Sequence, residues 1–214
     1  ENREADIGRF LRRHLSGLSP DTFRALADEL DDRQSTGPSI DAELKALLAD
    51  GEARFSTRAR ESSLTLPAHG TFEVALILVG NCKEGSLDQN FLRLLDSNNP
   101  RLTGWPVWLD SSNFSDPSAR PYVLDGGWEA LIASLESGFN SGHIDFMRKD
   151  PTGRFYLRRG LQDDLTHSDR GPEPLTKLDF GLAILRTAEA IAVGRAFAQA
   201  MSCDPDNTTL EFSF

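Results

Sequence analysis

His143 and Asp145, in the run "HIDFMRKD", lie two positions apart and so share one face of an extended chain. A histidine beside a carboxylate can ligate a metal or act as an oriented base. The pair has no evident third member, because His14, His69 and His167 are scattered through the sequence. Asp110, Asp125, Glu129, Asp145, Asp163 and Asp164 supply candidate acids and bases, as the carboxylates of any acidic chain do. Adjacent Asp163 and Asp164, in "LQDDL", read as salt-bridge partners of Arg158 and Arg159. No serine stands in a nucleophile elbow, and "DGGW" and "LDFG" lack the spacing of a phosphate-binding loop. Cys82 and Cys203 are too far apart for a metal-site motif and read as two reduced thiols. These residues assign no catalytic group, no metal and no cofactor. The enzymatic alternative is a metal-assisted nuclease or phosphoesterase drawing on His143, Asp145, Asp110 or Asp125.

A second constellation is aromatic. The stretch "RLTGWPVWLDSSNFSDPSARPYVLDGGWEALI", residues 101–132, holds all three tryptophans, Trp105, Trp108 and Trp128. Burying one indole removes roughly 150–250 Å² from water and leaves an N–H that needs an acceptor. In "WPVW" an extended chain points Trp105 and Trp108 to opposite faces, so one enters the core while the other lines a surface. Arg101, Arg120 and Tyr122 stand close to Trp105 in sequence, and arginine with aromatics can hold an anionic ligand by stacking and charge. The candidate binding residues are therefore Arg101, Trp105, Trp108, Asp110, Arg120 and Tyr122, with Arg158 from the basic run that follows. The expected ligand is a small anionic molecule or a partner chain.

These residues must be positioned by regular elements. Apolar residues at spacings of three and four predict helices over "EADIGRFLRRHLSGL", over "SPDTFRALADEL", and over a third stretch carrying Leu44, Leu47, Leu48 and Phe55. "TFEVALILVG" predicts a buried central strand, and "SLDQNFLRLLDSNN" a helix capped by Ser86. Pro106 makes "GWPVWL" an edge strand or extended loop. "DGGWEALIASLES" is expected to be a helix. "DPTG" between two alternating runs predicts a hairpin, with Arg148, Lys149, Arg154, Arg158 and Arg159 toward solvent. Lys177 to Met201 predicts a long helix packed against a sheet, with Leu178, Leu182, Leu185, Ala188, Ala192, Ala196 and Gln199 marking one face, and "NTTLEFSF" a closing strand. The fold class is α+β: a small mixed sheet with a β-hairpin packed against a long C-terminal helix, preceded by a helical N-terminal segment. The expected division is a helical segment or linker over 1–66 and an α+β domain over 67–214. The missing starting methionine and the abrupt "TTLEFSF" indicate a fragment truncated at both ends.

With 33 acidic against 23 basic residues, the net charge of −10 disfavours direct contact with phosphate backbones. No run of 18 apolar residues is present to span a membrane, and the charged opening "ENREADIGRF" is not a secretion signal. Together with the two thiols, this leads to a cytoplasmic expectation.

Five stretches carry a resemblance: "FEVALILVG", "NNPRLTGWPVWLD", "RPYVLDGGWEALI", "DFMRKDPTGRFYLRRGLQDD" and "LDFGLAILRTAEAIAVGRAFAQAMSCDPDNTTLEFSF". From about Pro67 onward the chain resembles the C-terminal region of bacterial proteins that begin with a Schlafen-type, AlbA-like DNA-binding domain. The resemblance implies a bacterial, multidomain regulator or defence protein. In it this part would be a non-enzymatic accessory or sensing module, and nucleic acid would be bound only through a domain absent here. It assigns no catalytic residue.

Overall fold

The computed structural model describes residues 39–80, 82, 85–135, 142–165 and 173–213, with backbone alone at 207 and 210–213. The two helices expected over 4–30 lie outside the described residues, as do His14, His167 and Phe214. The chain divides into two compact units, Glu1–Glu43 and Leu44–Phe214. In the first, Ser39 opens helix α1, its hydroxyl accepting from the Ala42 N–H at 3.2 Å.

Helix α1 spans Ile40–Glu61, acidic in its first turn and basic in its last, as the helix dipole favours. Strand β1 (Thr71–Leu78) is followed by α2 (Gln89–Ser97), β2 (Tyr122–Leu124), β3 (Gly127–Ser134), β4 (His143–Asp150) and β5 (Arg154–Gly160). The short α3 (Gln162–Leu165), the long α4 (Phe180–Ala200) and β6 (Thr208–Ser213) complete the chain. The cap of α2 is Asp88 and not Ser86: its carboxylate accepts from Asn90 N at 2.8 Å and Phe91 N at 3.1 Å.

The α+β class holds. Among the described residues six strands form one sheet, in the order β2-β3-β4-β5-β1-β6. Every neighbouring pair is antiparallel, so the sheet is not mixed. The segment expected as a helix after "DGG" is β3. Asp125 and Gly126 both have positive φ, 46° and 75°, which makes the tight turn that returns β2 onto β3. Trp128, Ala130 and Ile132 then alternate toward one face of the sheet.

The β4–β5 hairpin forms as expected, with Gly153 at φ 90° in its turn. Its position differs. It lies in the middle of the sheet with both faces covered, so Arg148, Lys149 and Arg159 are buried and only Arg154 is exposed. One face packs Leu131, Ile144, Phe146 and Tyr156 against Phe55 and Ala59 of α1. The other packs Phe72, Val74, Leu76, Met147, Phe155 and Leu157 under α2, Trp108 and the α4 residues Val193 and Phe197.

Helix α4 buries a different face from the one its apolar pattern suggests. Arg186, Glu189, Ala190, Val193, Gly194, Phe197 and Ala198 point inward, while Leu178 lies before the helix and is exposed. Cys82 and Cys203 are joined as a disulfide, correcting the expectation of free thiols, and the bond ties the chain after β1 to the end of α4. No helix among the described residues is long and apolar enough to cross a membrane.

Candidate functional site

Residues 98–121 cross the sheet without pairing to it, and buried side chains hold their backbone instead. Glu189, fully buried on α4, accepts from Leu102 N at 2.6 Å, Thr103 N at 3.1 Å and the Thr103 hydroxyl at 2.7 Å. Arg159 donates to the carbonyls of Trp105 at 3.2 Å, Pro106 at 2.8 Å and Val107 at 3.4 Å. Its Nε also pairs with Asp145, whose other oxygen accepts the Trp105 indole N–H at 2.8 Å. Asn99 donates to the Trp108 carbonyl. An irregular segment next to a sheet must satisfy its backbone groups with side chains; Glu189, Arg159 and Asn99 do so, and Asp145 holds Arg159 and the Trp105 indole in place.

The sequence candidates separate within this frame. Trp108 is fully buried between Phe155 and Phe197 and is a core residue, so it offers no binding surface. Trp105 is half-buried and stacks flat on His143, with ring centroids 4.0 Å apart and planes 7° apart. His143 is thereby covered, and burial together with the positive Arg159 and Arg186 lowers its pKa against the pull of Asp145. Arg101 is exposed and pairs with Asp96 at 2.9 Å. Asp110 accepts from Ser112 N at 2.9 Å, and its carboxyl lies below the usual range because that bond, Lys149 and Arg101 outweigh partial burial. Arg120 donates to the Phe114 carbonyl at 2.7 Å, away from the other candidates.

Tyr122 and Arg158 belong to the opposite face of the sheet. Tyr122 donates to Glu129 at 3.1 Å under the guanidinium of Arg58, and its hydroxyl pKa is pushed up to about 12, chiefly by burial. Buried Glu129 also binds Arg148 at 2.7 Å and Arg54 at 2.8 Å. Arg158 pairs with Glu73 at 2.5 Å, and Tyr156 donates to the same carboxylate at 2.7 Å. Asp163 and Asp164 do not pair with the arginines. Asp164 accepts from Gly70 N and Leu175 N, and Asp163 from Asp179 N.

His143 and Asp145 do share a face, but Asp145 is spent on Arg159 and Trp105. Among the described residues no group of three or more His, Cys, Asp or Glu side chains is placed to hold a metal.

What the sequence missed is Lys149. It is only 8 % exposed, opposite Trp128 in the β3–β4 register and on the same face. Both line a small recess of about 10 Å³, room for about one water, whose walls include Leu92, Leu109, Pro121, Ala130 and Met147. Among the described residues Lys149 has no hydrogen-bond or ion-pair partner; Asp110 and Asp96 attract it only through space. Burial pushes its pKa down to about 8. The buried indole N–H of Trp128 likewise has no acceptor. Lys149 and Trp128 therefore line a recess walled by the tryptophan segment, with the Trp128 N–H itself sealed from solvent. The alternation Asp145–Met147–Lys149 could have signalled this face, had the hairpin not read as a solvent edge.

No protein-family model matches the chain, and neither a curated protein nor a solved structure matches it.

Proposed function

We propose that this chain is a binding module that takes a small anionic group, a carboxylate above all, at the Lys149 recess. One observation carries the reading: Lys149, buried and without a counter-ion among the described residues, lines a recess together with Trp128, whose indole N–H has no acceptor. Burying a charge alone is costly, and an anion at that point supplies what the fold omits. The group belongs either to a free metabolite or to an acidic side chain on a partner chain or another domain of the same protein.

The module serves as the non-enzymatic accessory or sensing part of a bacterial regulatory or defence protein. The resemblance to Schlafen-type, AlbA-like proteins supports that setting, in which another domain binds nucleic acid. The net charge of −10 is in keeping with the same division of labour. Cytoplasmic location belongs to this proposal, and the Cys82–Cys203 bond stands against it, since a reducing compartment keeps thiols free. Alkylation in freshly lysed cells decides: two reactive thiols support the cytoplasm, and a protected bond overturns it.

Acetate and inorganic phosphate, titrated while tryptophan fluorescence is followed, are the first test. Saturation is expected for the wild type and not for Lys149→Met. Affinity should fall as pH rises through about 8, where the ammonium loses its proton. A short acidic peptide that binds more tightly than acetate assigns the group to a partner chain. Equal binding by Lys149→Met, or no saturation with any of the three probes, overturns the reading.

A further inference from the structure

Helix α4 turns charge inward and leaves apolar side chains outside. Arg186 and Glu189 are buried, whereas Phe180 is 70 % exposed, Ile191 42 % and Ile184 36 %. With 3.6 residues to the turn, these three fall within about 40° of one another round the helix, so they form one stripe. Thr187 lies on the same line and Ala188 at its margin, both half-buried, and exposed Arg195 continues it. From Phe180 to Arg195 the stripe is roughly 20 Å long.

Charge singles out the same face. The chain carries −10, yet no exposed position of α4 holds a carboxylate. Glu189 is the one acid of the helix and is buried, and Arg195 is its one exposed charge. Two copies of this chain repel one another through their net charge, and this stripe adds nothing to that repulsion.

The stripe is also complementary to its own reverse. About a two-fold axis between Thr187 and Ala188, an antiparallel second copy sets its Ile191 opposite Ile184 and its Arg195 opposite Phe180. Apolar then meets apolar at the centre, and at each end a guanidinium meets a ring, an arrangement cations and aromatics favour. Arg195 holds Asp206 through Nη1 at 2.8 Å, which fixes the guanidinium and leaves its planar face for the ring. The short side chains of Thr187 and Ala188 at the crossing let the helix axes approach to the roughly 8–10 Å of packed helices. Such a contact is isologous, with the same patch used twice.

We infer that the outer face of α4 is a self-association surface, on which a second copy of this chain packs antiparallel through Phe180, Ile184, Ile191 and Arg195. These four side chains are far fewer than the roughly 20–30 residues a side of a standard interface, so the dimer is weak and reversible. The Lys149 recess plays no part in it.

Sedimentation equilibrium of the intact chain, from about 10 μM to about 1 mM, is the test. The dimer fraction should rise with concentration. Ile184→Glu and Ile191→Lys should each weaken association roughly tenfold or more, with the melting temperature unchanged because both side chains are exposed. An equimolar mixture of the two variants should associate again, since the antiparallel register sets the introduced charges opposite each other. A chain that stays monomeric at about 1 mM overturns the inference, and if that monomer floats with phosphatidylcholine vesicles the stripe belongs to a lipid surface. A dimer that survives Ile184→Glu also overturns it, as does a mixture that associates no better than either variant alone.

Discussion

An ammonium buried beside an indole is unfavourable wherever it is charged, and Lys149 is charged at neutral pH. Its folded pKa, about 8, lies below its ordinary 10.5. Between those values the unfolded chain binds more protons than the folded one, so stability rises with pH there. Below about pH 8 the full cost is present, and above about 10.5 it is gone. Lys149→Met should therefore be more stable than the wild type at pH 7, by about 1–3 kcal/mol, with the gap closing toward pH 10.5. Chemical denaturation at several pH values measures this, and an equal or lower stability of the variant at pH 7 would count against a buried, unpaired charge. His143 has the same sign for its own reasons. Burial, Arg159 and Arg186 lower its pKa from 6.5, so the folded state resists its protonation. Stability should fall as pH drops below 6.5 and level off once the folded imidazole is itself charged. His143→Gln should remove that part of the slope, and an identical pH profile for variant and wild type would contradict the assignment.

At the scale of elements, close approach and cross-links set the packing. Gly51 lets α1 lie directly on the sheet, since a Cβ there would meet the ring of Tyr156 at 2.5 Å. Gly51→Ala is expected to destabilise by about 1–3 kcal/mol, read from denaturant midpoints, and an unchanged midpoint would place α1 further out. The Cys82–Cys203 bond closes a loop of 121 residues. Reducing it should lower the melting temperature, with a loss of about 2–5 kcal/mol, and a reductant-insensitive melt would show that the bond does not restrain the chain. The elements themselves were unevenly legible. "TFEVALIL", the "DPTG" hairpin and the C-terminal helix were readable because each has one period and one kind of turn. "GWEALIAS" was not, since its short apolar run fits either period; only the Asp125–Gly126 turn distinguishes them. The buried face of α4 was hidden because it carries Arg186 and Glu189, which a hydrophobic pattern assigns to solvent.

Across the whole molecule, one antiparallel sheet is covered by α1 on one face and by α2, the tryptophan segment and α4 on the other. That double cover explains why the site was only half visible. Basic residues of a hairpin read as a wet edge when strand order is unknown, yet here the hairpin is central and its cations are interior. The aromatic segment was identifiable from composition alone. Its division into a core indole, Trp108, a stacked indole, Trp105, and a recess indole, Trp128, depends on the register of strands far apart in sequence. Buried ion pairs such as Asp145–Arg159 fix the segment, while Lys149 and Arg186 are buried with no ion-pair partner among the described residues. The most direct measurement is an NMR pH titration of the Lys149 side chain, selectively labelled at Cε, with and without saturating acetate. A midpoint near 8 in the free protein, moving upward when acetate is present, is expected from a buried ammonium awaiting an anion. A midpoint near 10.5, or one that acetate leaves in place, would contradict it.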